Sequence, residues 1–277
     1  MISNYVALVA DPGEVPTNEL TAVAAALQTQ ATRDLAPVWG INAGVSAFTN
    51  VKDVPIGHWP IIVQSNINDP NALGYHTDKN NQPYALVEYE DGWELTASHE
   101  CLEMLVDPFG SRLIPGPSID PQHPNDRVQY LLEVCDPCED STCAYSINGI
   151  LVSDFITPAY HQPDGTVGAR YDFAGKIPGP RQLLSNGYIS YSNPLDGHVY
   201  QGVADATGTV SIKDLGPADL GTSMREFTHS AARAKNIPTW NYSRLYDSRL
   251  ENVQRYKGMR EKAQLASVAL AAHFTKG

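Results

Sequence analysis

The sequence predicts an α+β protein whose first part is a mixed, twisted sheet with one helix behind it and a second, site-bearing helix. Three observations carry that prediction. Over residues 5–89, short apolar runs of strand length are interrupted by one stripe at helical spacing. Trp93 to Pro108, WELTASHECLEMLVDP, is apolar at helical spacing and carries an H-E-x-x-E pattern. A Pro- and Gly-rich stretch with strand-like runs follows, and from Ser223 onward the chain reads as helix. At 277 residues the chain can bury a substantial core.

In order, Tyr5 to Ala10 (YVALVA) reads as a first strand, closed by the turn residues Asp11-Pro12-Gly13. Thr17 is expected to cap a helix in which Leu20, Val23, Ala24, Leu27 and Ala31 form one face, running to about Arg33. A second strand is expected at 41–50, a third at Pro60 to Gln64 and a fourth at Ala72 to Thr77. Asp78 to Gln82 then turns the chain into a fifth strand, Tyr84 to Tyr89. Asp91 is placed to cap the Trp93 helix, and Pro108 and Gly110 to stop it. Further on, Val128 to Val134 suits a strand or a helical turn, and hairpins are expected about Asn148-Gly149 and across 187–201. These signals divide the chain into residues 1–110, 111–222 and a basic helical tail, 223–277. Leu250, Val253, Tyr256, Met259, Ala263, Ala266 and Leu270 form the tail's irregular apolar stripe.

On the Trp93 helix, His99 and Glu103 stand one turn apart and project from one face, so an imidazole and a carboxylate can share one divalent metal. Glu100, about 100° round from His99, is positioned to act as general base on a water between them. Where the H-E-x-x-H motif of the metzincin type, which this pattern resembles, continues to a further histidine, position 109 here is Phe. Asp107 lies about 12 Å along the axis from His99, so it suits a helix-end role better than a shared ligand.

The order of strand, helix, four strands and motif-bearing helix over residues 4–110 resembles the N-terminal half of the zincin metallopeptidases. Their helix carries H-E-x-x-H, and this chain has Glu103 in place of the second His. The resemblance implies one Zn2+ and a hydrolytic mechanism on a peptide or protein substrate. It implies a third ligand from Glu133-Val-Cys-Asp136: Glu133 as ligand with Asp136 orienting the bound histidine, or the reverse. It also implies that Leu73-Gly74-Tyr75-His76 is an edge strand, with Gly74 and Tyr75 along the substrate peptide. Tyr160, His161 and Tyr188 are candidates to stabilise an oxyanion. The S-H-E-x-x-E-x-x-x-D-P and E-V-C-D patterns are also similar to those of uncharacterised bacterial and phage-encoded proteins. The rival expectation is a weakly active or inactive scaffold of this type, acting as a binding component or cargo of a larger assembly.

Charge narrows the partners. The net charge is −12, but residues 1–224 balance at −18 and residues 225–277 at +6. An acidic body repels phosphate, which argues against nucleic acid. The basic tail is suited to docking on that body or on an acidic protein. No run of about 18 apolar residues suggests a membrane span. The N-terminus lacks the basic and apolar regions of a signal peptide, so the expectation is a cytoplasmic protein, with non-classical export or association with a particle as the other route. Cys135, Cys138 and Cys143 are too few for a strong structural-zinc reading; free thiols are expected by default, and a Cys138–Cys143 disulfide is the alternative outside the cell.

Overall fold

The computed structural model describes residues 3–10, 13–70, 72–219 and 221–235, with Gln254 and Gly258 besides. It is a mixed α/β structure with several sheets and few helices. The apolar stripe expected at Leu250 to Leu270 and the turn residues Asp11 and Pro12 lie outside the described residues.

The first strand, β1 (Asn4–Ala10), is buried from Val6 onward. It pairs in parallel with β2 (Ala43–Phe48) on one side and β3 (His58–Gln64) on the other. That central place is why its apolar run is continuous instead of alternating. Helix α1 (Thr17–Thr29) buries Leu20, Val23, Ala24 and Leu27, the stripe its spacing predicts. Its cap position is Pro16, with no side-chain cap bond, so Thr17 is the first helical residue and not the cap. The helix also outruns Arg33: Gln30–Leu35 winds as a wider π segment and α2 (Ala36–Trp39) finishes it at Gly40, whose φ is +70°. The π segment turns Gln30 inward, where its amide nitrogen donates to the Ser153 carbonyl at 2.8 Å. Its carbonyl accepts from Ser98 Oγ at 2.7 Å, which ties this helix to the residue just before His99.

Strands β4 (Gly74–Lys79) and β5 (Gln82–Glu88) form a hairpin. Asn80 and Asn81 turn it, both with positive φ, the conformation that matches a tight hairpin's twist. The sheet order is β2-β1-β3-β5-β4, so β4 is an antiparallel edge strand on an otherwise parallel sheet. Helix α3 (Trp93–Val106) packs on β4 and β5, and every residue in it except Glu94 is buried. Its cap position is Gly92, with φ +87° and no side-chain cap bond, so the expected cap by Asp91 is replaced by a glycine turn.

Beyond α3, β6 (Leu113–Pro117), β7 (Arg127–Leu131), β10 (Tyr188–Asn193), β11 (His198–Ala204) and β12 (Val210–Pro217) make a second, antiparallel sheet in the order β12-β11-β10-β7-β6. A small hairpin, β8 (Tyr145–Ile147) and β9 (Ile150–Val152), turns at Asn148-Gly149 as expected. Helix α4 (Met224–Ala234) follows β12. One apolar core runs through both sheets, from Val6 and Leu102 to Tyr130 and Ile189. The four cysteines are buried free thiols, so Cys138 and Cys143 form no disulfide. No described helix is long and apolar enough to cross a membrane.

His161, expected near an oxyanion, instead lies in this core against Tyr130 and Tyr160, with ring centroids 6.1 and 5.2 Å away. Neither ring nitrogen has a hydrogen-bond partner, and burial pushes its pKa down to about 4. The unfolded chain therefore binds a proton that the folded chain refuses between pH ~6.5 and that value. Its stabilising contribution is complete above pH ~6.5 and is lost as pH falls, by about 3 kcal/mol across the window. His161→Phe should make urea midpoints at pH 7 and pH 4.5 differ by less than they do in the wild type.

Candidate metal centre

Helix α3 delivers His99 and Glu100 to a cleft between the edge strand β4 and the second sheet, with Glu103 wholly buried beside them. The opposite wall is the segment after β7: Glu133, then a single 3-10 turn, Asp136–Cys138, that ends at Glu139. His99 Nε2 lies 3.2 Å from Glu103 Oε2 and 3.3 Å from Asp136 Oδ1. Glu103 is anchored from its other side, where Oε1 accepts the Cys135 amide at 3.1 Å. Three overlapping trios have ligand atoms within 4.8 Å of one another: Glu103, Glu133 and Asp136; His99, Asp136 and Glu139; and His76, Glu100 and Glu103.

The four residues expected to meet, His99, Glu103, Glu133 and Asp136, do meet. Both Glu133 and Asp136 face the cluster, and neither is set behind the other. Three further residues join them, of which His76 was expected only as part of the edge strand. Glu139 extends the pattern by one helical step from Asp136. His76 shares a face of β4 with Gly74, and strand periodicity would have aimed it at α3. Arg225 carries no signal in sequence, since it arrives on α4 from 122 residues beyond Glu103.

The electrostatics are those of crowded, buried acid. Against its burial, Glu103 and Asp136 hold the His99 imidazole protonated well above its ordinary range. Against its own burial, His99 and Arg225 hold Glu103 well below the usual carboxylate range. Burial, helped by Glu103, pushes Asp136 up to about 7. Burial also raises Glu133 and Glu139 well above the usual range, with Arg225 opposing at Glu133 and Asp136 adding at Glu139. Both Glu139 oxygens and Glu133 Oε1 are buried without a hydrogen-bond partner. Buried carboxylate oxygens left this way cost free energy unless a cation or a proton meets them.

Arg225 supplies part of that charge. One of its guanidinium nitrogens, Nη1, pairs with Glu133 and lies 3.1 Å from Glu103 Oε2; Nη2 lies 3.4 Å from Glu100 Oε2. His76 completes the ring: Nδ1 is 3.2 Å from Glu100 Oε2 and Nε2 is 3.3 Å from Arg225 Nη1. Burial and Arg225 lower the His76 pKa, which favours the neutral ring, and its Nε2 also lies 3.3 Å from the Asp107 carbonyl oxygen.

Gly74 and Tyr75 take different sides of β4. Gly74 faces α3, and a methyl group there would come within 2.6 Å of Thr96 Cγ2, so only glycine lets the strand lie this close to Glu100. Tyr75 faces the other way, its ring 6.1 Å from that of His229 on α4. Tyr188 lines the cleft beside His99 and Glu133; Tyr160, like His161, is packed in the core instead. Asp107 ends the helix, accepting the amides of Ser111 at 3.3 Å and Arg112 at 2.8 Å. Among the described residues, no cysteine belongs to a metal-ligand trio.

No family model, curated protein or solved structure matches the chain.

Proposed function

We propose that the protein is a zinc-dependent hydrolase, a metallopeptidase of zincin type, in which Glu100 is the general base. The observation that carries this reading is the buried union of His99, Glu103, Glu133, Asp136 and Glu139 with three unpartnered carboxylate oxygens. Zinc accepts imidazole nitrogen and carboxylate oxygen, and a divalent charge would relieve acid groups that burial otherwise forces to keep their protons. The donor set thus fits. His99, Glu103 and Asp136 would hold the ion, with Glu133 and Glu139 within reach of it.

When bound, the ion would supply Lewis acidity toward water and toward a substrate carbonyl oxygen. The chain supplies the rest. Glu100 takes the proton from the attacking water and returns it to the leaving amine. His76, whose Nδ1 lies 3.2 Å from Glu100 Oε2, holds the direction in which that carboxylate points. Tyr188, whose hydroxyl burial keeps protonated, lines the same cleft and can donate to a developing oxyanion. Strand β4 is the last in its sheet, and its outer edge, once uncovered, would offer main-chain groups to an extended peptide, which supports a peptide over a small-molecule substrate.

Arg225 favours one rival, a catalytically silent scaffold in which the guanidinium is the permanent counter-charge of the cluster. Zinc titration separates the two readings. The hydrolase reading expects saturable binding of one equivalent, lost in H99A and E103Q. Absence of saturable binding, or binding that survives both substitutions, would leave the scaffold.

A further inference from the structure

We propose that α4 is an arginine plug: Arg225 holds the place of the divalent ion, and the ion enters when α4 lifts. This rests on the metal-centre reading and adds its regulation. The argument begins with shared atoms. Arg225 Nη1 contacts Glu103 and Glu133, which are two of the three members of one candidate ligand trio. A guanidinium and a divalent ion are both positive and both need those oxygens' lone pairs, so they compete.

The second observation is how α4 is held. Of its eleven residues only Thr228 and Ala232 are buried, so little apolar surface secures it. Its anchors are polar. His229 Nε2 and Arg233 Nη1 lie 2.9 and 3.1 Å from Asp69 Oδ2. The Arg225 amide donates to the Gly110 carbonyl at 3.0 Å, and Lys235 Nζ donates to the Asp214 carbonyl at 2.8 Å. An element with few buried apolar contacts and charged tethers belongs to the part of a fold that opens at low cost.

The third observation is what α4 covers. It runs beside the edge strand, with His229 against Tyr75, and forms one wall of an open groove of about 350 Å³ whose other side is Tyr75, Thr77 and Asp69. With α4 in place, His99, Glu100 and Glu133 are almost wholly shielded from solvent. Lifting the helix would uncover the carboxylates and the strand edge together. One movement would then admit both metal and peptide. The basic character of the chain from Arg225 onward is thereby accounted for in part: two of its arginines, Arg225 and Arg233, dock on carboxylates of the acidic body.

Zinc titration of the full chain against a chromogenic chelator, in wild type, R225Q and D69N, tests the proposal. R225Q removes the competing cation. D69N loosens the helix without touching the metal cluster, and it decides alone if R225Q does not fold. The expected result is zinc binding at least tenfold tighter in both variants than in wild type. A dissociation constant equal to wild type in D69N, or in folded R225Q, would overturn the plug and leave the metal centre standing. No saturable binding in any of the three would overturn both.

Discussion

Glu100→Gln should reduce hydrolysis of a loosely folded protein substrate such as casein by about 10²- to 10⁴-fold, the range a general base contributes, while zinc affinity stays within a fewfold of wild type. The substitution keeps the shape of a side chain that β4 presses against the helix at Gly74, so the cleft should not collapse. It removes the ability to take a proton from water, together with the charge that meets Arg225 Nη2. The same loss is expected in an R225Q background, where the proposed plug is removed. Equal turnover by the Glu and Gln forms would mean that the base is another residue, with His76 the nearest alternative. Parallel loss of zinc would mean that Glu100 is a ligand, as the trio of His76, Glu100 and Glu103 allows.

The second large effect concerns stability. Trp93 opens α3, is 1% exposed, and donates from its indole nitrogen to Glu19 Oε1 at 2.7 Å, fastening the site helix to α1. Tyr89 packs edge-on against it at 6.0 Å. Trp93→Ala leaves a cavity and an unpaired Glu19, at a cost of about 4 kcal/mol, roughly 10 °C in Tm for a chain of this size. Trp93→Phe should recover part of that by refilling the core. Calorimetry reads both. A Tm unchanged in the Ala variant would mean that α3 is fixed mainly by the Ser98–Gln30–Ser153 hydrogen bonds instead.

The first sheet and α3 were legible because their signals are local. An apolar run at β1, a helical stripe at α1 and an asparagine turn at β4–β5 each depend on neighbours within a few residues. The helix boundaries were less so. A π segment carrying Gln30 inward is driven by its partners Ser98 and Ser153, which are distant in sequence. The cap of α3 is set by a glycine turn in a place where a side-chain cap is the commoner solution. In the centre itself, His99, Glu100 and Glu103 were visible as i, i+1, i+4 on one helix, and Glu133 and Asp136 as an acidic pair downstream. Glu139 and His76 needed a second step, the helical turn at Asp136 and the alternation of β4. Tyr160 and His161 were misplaced because their segment turns into the core at Tyr130, which no periodicity announces. Arg225 was out of reach, since its pairing depends on α4 crossing the cleft.

The most direct test of the central claim is anomalous scattering from crystals of R225Q grown with zinc, collected on both sides of the zinc absorption edge. One edge-dependent peak within coordination distance of His99 Nε2, Glu103 and Asp136 is the predicted result. No peak there, or a peak only at Cys135, Cys138 and Cys143, would contradict it.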